Sequence, residues 1–175
     1  MKTLDEIIGF IGAGNMATAL ISGLINNGHE ASKIISSSPE QEHLEKLSGD
    51  FGVLTSKNNQ KVCEDSNVII LAVKPNIIET VLSEIKESFD QKDKLVISIA
   101  AGVKIENIES IIGSSTKIIR AMPNTPASIM EGVTALSSNE RVKESDIDKA
   151  KILFGSVGKT AEIKEKELDI FTALI

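Results

Sequence analysis

The chain has 175 residues, 41% of them hydrophobic, which suits one domain of ordinary size or one domain plus the start of another. A net charge of −6 without a Lys/Arg stripe argues against general nucleic-acid binding. One cysteine, Cys63, excludes an internal disulfide framework, and the longest apolar run, Val68 to Val73, is too short to cross a bilayer; the expected location is the cytoplasm.

Ile7-Ile8-Gly9-Phe10-Ile11 reads as a buried strand. It runs into Gly12-Ala13-Gly14-Asn15-Met16-Ala17, with the spacing Gly-x-Gly-x-x-Ala. A helical pattern follows, with Met16, Leu20 and Leu24 on one stripe and Ala17, Ile21 and Ile25 beside it. Strand, glycine turn and helix in this order form the phosphate-binding corner of a dinucleotide fold. Gly12 permits the tight turn, Gly14 lets backbone approach a pyrophosphate, and Ala17 lets the helix pack closely on the strand. The unpaired N–H groups of the first helical turn then face the phosphates. The helix should end near Asn26-Asn27-Gly28.

Ile34 and Ile35 give a short second strand ending at Ser36-Ser37-Ser38-Pro39. An NAD-binding protein normally carries Asp or Glu here for the ribose 2′-hydroxyl, whereas the first acid in this chain is Glu40. Serine hydroxyls donate to a 2′-phosphate that a carboxylate would repel, which favours NADP, with NAD as the alternative. The serines otherwise make only a solvated turn. Lys57 is a distant cation. Residues 39–48 read as a polar helix with Leu44 and Leu47 inward, Gly52-Val53-Leu54 as a brief third strand, and Ser56 or Asn58 as the cap of a short helix.

Asn67 to Val73 has the continuous apolar character of a centre strand and ends at Lys74-Pro75. In the doubly wound order it lies beside the first strand, so Ala72, Val73, Lys74 and Pro75 face the glycine turn across the ligand crevice. Lys74 there either meets phosphate or pairs with a surface acid. The next helix carries Ile77, Ile78, Val81, Leu82 and Ile85 inward. Leu95 to Ile99 is a fifth strand, after which Ala100, Ala101 and Gly102 leave room for a flat ring. An amphipathic helix with Val103, Ile105, Ile108 and Ile111/Ile112 inward precedes a sixth strand, Lys117 to Ala121. Two prolines stiffen Met122-Pro123-Asn124-Thr125-Pro126 at the crevice edge. Val133 to Leu136 suggests an edge strand, Ile147 to Phe154 a helix, and Thr160 to Ile163 a last strand. A terminal helix from Glu165 puts Leu168, Phe171, Leu174 and Ile175 on an apolar face that awaits a partner. The whole reads as a Rossmann-type α/β fold, a doubly wound and mostly parallel sheet with helices on both faces.

Nothing in the chain reads as a hydrolytic or metal site. His29 and His43 read as surface residues, Cys63 as a packing residue, and Ser98 and Thr125 lack an evident base. The catalytic residues are therefore left unassigned.

Taken together, the segments resemble the N-terminal domain of the pyrroline-5-carboxylate reductase family. They are Gly9 to Ala17, Leu71-Ala72-Val73-Lys74-Pro75, Ser98-Ile99-Ala100-Ala101-Gly102-Val103 and Arg120-Ala121-Met122-Pro123-Asn124-Thr125-Pro126, with Gly132, Ser156-Val157-Gly158, Leu168-Asp169 and Thr172-Ala173. The resemblance implies hydride transfer from NAD(P)H to the C=N carbon of 1-pyrroline-5-carboxylate, the step that makes L-proline. It implies that Ile11, Gly12, Ala13, Gly14, Asn15 and Met16 form the cofactor corner and that Ser38 and Asn58 meet the adenosine end. Ala72 to Pro75 and Ala100 to Gly102 would line the nicotinamide half, with Met122 and Asn124 beside the reacting face. It further implies a helical C-terminal domain that forms the homo-oligomer and holds the substrate carboxylate. On that reading residues 1–164 are the dinucleotide-binding unit, 165–175 begin the linking helix, and the chain alone is inactive. The competing readings are a 3-hydroxyacid dehydrogenase-like enzyme and a stand-alone NADP-binding module.

Overall fold

The computed structural model describes residues 2–89 and 93–174, with side chains as far as Phe171. Among the strands buried along their whole length are β1 (Ile8–Ile11), β4 (Val68–Leu71) and β5 (Leu95–Ser98). Strands covered on both faces read as continuous apolar runs, and these three do. With β2 (Ile34–Ser37), β3 (Leu54–Ser56), β6 (Lys117–Pro123), β7 (Gly132–Ser138) and β8 (Gly158–Glu162) they form one sheet in the order β3-β2-β1-β4-β5-β6-β7-β8. β1 to β6 are parallel; β7 runs antiparallel to β6, and β8 parallel to β7. The expected Rossmann-type fold is the one observed.

The helices are α1 (Asn15–Asn26), α2 (Gln41–Phe51), α3 (Asn59–Asp65), α4 (Ile78–Ile85), α5 (Ile105–Ile112), α6 (Glu144–Gly155) and α7 (Glu165–Leu174). They divide the apolar interior into two clusters, one on each face of the sheet. Phe10, Leu20, Leu24, Leu153 and Phe154 belong to the first, which gathers α1, α2 and α6; Val62, Ile78, Leu82 and Ile108 belong to the second, with α3, α4 and α5. Each large side chain fully buried this way contributes about 1.5–3 kcal/mol relative to exposure.

Register positions the site. Ile11 lies level with Ser37 on one side and Leu71 on the other, and Leu71 is level with Ser98. Four strands therefore end in one line, with Gly12, Ser38, Ala72 and Ile99 immediately above it. Ser98 pairs with Arg120, so β6 runs three residues past that line, to Pro123. The chain switches sides between β1 and β4, and this topological switch is where open α/β sheets bind ligands.

Several expectations need correction. The first strand begins at Ile8, and Ile7 is exposed at its foot. The third strand begins at Leu54, because left-handed Gly52 (φ +69°) ends α2 first. Ile77 points outward, 42% exposed, because Pro75 opens a three-residue 3₁₀ turn that shifts the helical phase. β7 is an interior strand, since β8 covers its far side. His29 is buried: its Nε2 accepts the Leu4 N–H (3.0 Å) and its Nδ1 faces the Leu24 carbonyl (3.2 Å). Leu168 is fully buried, with α7 packed on β6 and β7, so it belongs to no waiting apolar face. The side chain of Leu174 and the whole of Ile175 lie outside the described residues.

Candidate active site

The glycine corner sits at the switch point. Gly12 has φ +111°, outside the comfortable range of an L side chain, and its N–H donates to the Ser37 carbonyl (2.9 Å). A Cβ at Gly12 would lie 2.4 Å from the Ala72 carbonyl oxygen and 3.2 Å from Val73 Cγ1. The end of β1 and the start of the 72–75 segment are thus in direct contact across the crevice. Gly14 is different. It precedes α1 in extended conformation, and a Cβ there would have nothing within 4 Å.

That open space faces unpaired donors. The first N–H of α1 with a helical partner is that of Thr18, which donates to the Gly14 carbonyl (2.9 Å); the N–H groups of Asn15, Met16 and Ala17 have no acceptor among the described residues. Positive dipole end, free amides and an absent Cβ together make an anion cradle. The residues present therefore fit a dinucleotide pyrophosphate.

On the β2 side, Ser36, Ser37 and Ser38 are all buried, which overturns the solvated-turn reading. Ser36 Oγ donates to the Gly12 carbonyl (3.2 Å) and so braces the corner. Ser37 Oγ lies 2.7 Å from Asn59 Oδ1, and Asn59 Nδ2 donates to Glu84 (3.0 Å). This chain ties the end of β2 to α3 and α4. The sequence gives no sign of it, because Ser37 and Asn59 stand far apart along the chain. Ser38 Oγ accepts the Glu40 N–H (3.1 Å), which leaves the hydroxyl hydrogen available for a ligand. Residues 34–39 themselves carry no carboxylate, and the first acid after them is Glu40. Asn58 caps α3, its Oδ1 accepting the Lys61 N–H (3.0 Å).

On the β4–β5 side, Lys74 is exposed at the start of the 3₁₀ turn and forms no ion pair with an acid among the described residues. Ser98 is fully buried, and its Oγ accepts the Ala100 N–H (3.3 Å), which holds the small-residue corner of Ala100, Ala101 and Gly102. Met122 ends half-buried on the projecting part of β6. Asn124 follows it at the mouth, and its Oδ1 accepts the Val133 N–H (2.9 Å). Beyond the corner, a hollow of about 470 Å³ lies between α1 and the turn after Asn124; Asn15, Met16, Phe51, Thr125 and Ser128 are among its walls. A larger hollow, about 690 Å³, lies between α5 and the 137–141 and 163–165 segments, and contains none of the expected site residues.

Two buried charges fasten the surroundings, and sequence reasoning missed both roles. Arg120 is buried on β6, where it bonds Asp169 (2.7 Å) and lies 3.5 Å from Glu165, so it pins α7 to the sheet. Lys94 is buried too, with its Nζ donating to the carbonyls of Cys63, Glu64 and Ser66 at the end of α3. Residues so far apart in sequence announce no partnership.

Fold and corner together define a dinucleotide-binding domain. The chain belongs to the family described as NADP oxidoreductase, coenzyme F420-dependent, whose model matches residues 7–102. It is 39% identical over 163 residues, 93% of its length, to pyrroline-5-carboxylate reductase of Escherichia coli K12, of which it covers 60%. A solved pyrroline-5-carboxylate reductase from Coxiella burnetii superposes with a TM-score of 0.95 at 35% identity, covering 98% of this chain and 64% of that one. The Plasmodium falciparum pyrroline carboxylate reductase, solved with NADP bound, gives a TM-score of 0.88 at 33% identity over 99% of this chain and 63% of that one. These are the reductases that the sequence segments resemble. The chain spans about three fifths of the length of the curated relatives it matches.

Proposed function

We propose that this chain is the cofactor-binding part of a reductase that converts 1-pyrroline-5-carboxylate to L-proline, with NADPH preferred over NADH. The observation that carries the cofactor reading is the corner: free α1 amides, open space at Gly14, and a serine-only β2 terminus. The substrate reading is supported by the identity to reductases of that name across 93% of the chain. Ile11 to Met16 would hold the pyrophosphate, Ser38 and Asn58 the adenosine end, and Ala72 to Pro75 with Ala100 to Gly102 the nicotinamide half. When bound, NADPH supplies the hydride.

The chain's own task is alignment. Hydride transfer requires donor and acceptor carbons at about 3–3.5 Å with orbitals aligned. The small side chains above β4 and β5 leave room for a ring, and the stiff loop from Met122 to Pro126 stands on the opposite lip, where Met122 and Asn124 meet the substrate. Residues 1–164 form the cofactor unit, and α7 leads from it. Homo-oligomerisation, and the remaining contacts to the substrate, fall in the additional length that the relatives possess. A cytoplasmic location accords with a single buried cysteine; among the described residues no helix is long and apolar enough to cross a membrane.

The test is NADPH oxidation by the full-length natural protein with 1-pyrroline-5-carboxylate, followed by detection of L-proline. Proline formation in step with NADPH loss is expected. Turnover of a 3-hydroxy acid with NADP in its place would move the protein to the dehydrogenase reading.

A further inference from the structure

Arg120 stands in the middle of a polar row. Ser98 of β5, Arg120 of β6 and Ser137 of β7 lie level in the sheet, so their side chains share one face, and all three are buried. Met122 lies two residues further along β6, on the same face. α7 packs against this row. Arg120 bonds Asp169 (2.7 Å), and Glu165, one turn earlier, lies 3.5 Å from the guanidinium. The same Glu165 oxygen, Oε1, has a second partner: it accepts the N–H of Ile105 (2.7 Å), the first residue of α5. That donor is one of the amides a helix start leaves unpaired, and Lys104 before it supplies no side-chain cap. Glu165 therefore caps α5 from another element. The loop fastened this way is the small-residue corner. Ser98 Oγ holds its β5 end through the Ala100 N–H, and the Val103 N–H donates to the Ala100 carbonyl (3.4 Å) within it. Ala101 and Gly102 are exposed between these fixed points. One carboxylate thus joins the corner, the strand that carries Met122, and the start of α7.

We propose that Glu165 is a positioning residue for hydride transfer, holding the Ala100–Gly102 corner at a fixed setting against α7; this rests on the function proposed above. On that function the nicotinamide ring lies at the corner, and the remaining contacts to the substrate follow α7. Donor and acceptor are then carried by different parts of the chain, and Glu165 is a direct bond between the two. Hydride transfer is steep in this geometry: a misplacement of about 1 Å can cost about 100-fold. Cofactor affinity depends on it far less, because the pyrophosphate rests on the start of α1. Loss of the Ile105 bond should therefore slow the hydride step and leave NADPH binding in place.

Glu165→Ala tests this in the full-length natural protein. Arg120 keeps Asp169, so no buried charge is left unpaired and the fold should survive. NADPH-loaded protein is mixed with saturating 1-pyrroline-5-carboxylate, and a single turnover is followed by NADPH absorbance. The first-order rate should fall at least about tenfold, while the Kd for NADPH stays within about twofold of wild type. The folded fraction sets the amplitude of this phase and not its rate. A loss of amplitude alone would therefore make Glu165 a structural pin and overturn the proposal. Glu165→Gln keeps an oxygen for the Ile105 N–H and should recover most of the rate. A Gln variant as slow as the Ala variant overturns the proposal, as does a wild-type rate in Glu165→Ala or a weakened Kd for NADPH. Wild-type protein that binds NADPH but does not reduce the imine would overturn the parent reading, and this proposal with it.

Discussion

The two glycines of the corner should fail in opposite ways. Gly12→Ala forces a side chain onto φ +111° and places its Cβ 2.4 Å from the Ala72 carbonyl oxygen, a backbone atom that cannot swing aside. The conformational term costs about 1–2 kcal/mol, and forcing a methyl into a filled site costs about 1–3 kcal/mol. The sum, roughly 2–5 kcal/mol, lowers the melting temperature by roughly 4–20 °C for a chain of this size. Gly14→Val has neither problem: its backbone is extended (φ −77°) and its Cβ meets nothing within 4 Å. Its effect on stability should stay within about 1 kcal/mol. What it fills is the space in front of the free amides of α1, so the Kd for NADPH should rise more than tenfold, a loss above about 1.4 kcal/mol. Thermal melts give the first pair of numbers. Titration of NADPH fluorescence gives the second without interference, since the chain contains no Trp or Tyr. If Gly14→Val bound NADPH like wild type, or melted as early as Gly12→Ala, the division of labour argued here would be refuted.

Ser38→Asp should preserve the acceptor for the Glu40 N–H and yet weaken NADPH against NADH by at least about tenfold, because the new charge faces the 2′-phosphate; an equal change for both cofactors, measured by the same titration, would remove Ser38 from that contact. Burial pushes the His29 imidazole below its ordinary value, against a smaller opposing effect of the Leu24 carbonyl, and the Leu4 N–H requires an unprotonated Nε2. The native state therefore binds fewer protons than the unfolded one, so this contribution to stability is complete above about pH 6.5 and is lost as pH falls through the lowered native value; denaturant midpoints across pH 5–8 should show the slope for wild type and a shallower one for His29→Gln. Lys94→Met should cost about 1–3 kcal/mol, because the carbonyls of Cys63, Glu64 and Ser66 lose a charged donor at the end of α3; an unchanged urea midpoint would contradict that.

What the sequence made legible was local. The corner is contiguous, so strand, Gly12, Gly14 and Ala17 announce themselves within a dozen residues. The centre strands announce themselves because burial on both faces leaves only apolar residues. What stayed hidden depends on distant neighbours. Ser36 to Ser38 look solvated in sequence and are buried because β1 and β3 flank them. His29 looks like a surface residue after a helix, and is buried because the segment at Leu4 returns to it. The apolar stripe of α7 was visible, but its target was not: periodicity marks the face that Leu168 lies on, and the burial of Leu168 with the pairing of Arg120 to Glu165 and Asp169 shows that α7 docks on β6 and β7. The orientation of Asn124 was equally invisible, since it is set by an N–H on the next strand.

The central claim is that a dinucleotide sits across the ends of β1, β2 and β4 with its phosphates on the start of α1. Amide resonances followed by NMR during NADPH titration test it most directly. The N–H signals of Asn15, Met16 and Ala17 should shift most, joined by Ser38 and by Ala72, Ala100 and Ala101, while residues around the α5–α7 hollow, such as Glu109 and Arg141, stay in place. Saturable NADPH binding that shifts the α5–α7 residues and leaves the start of α1 unmoved would contradict it.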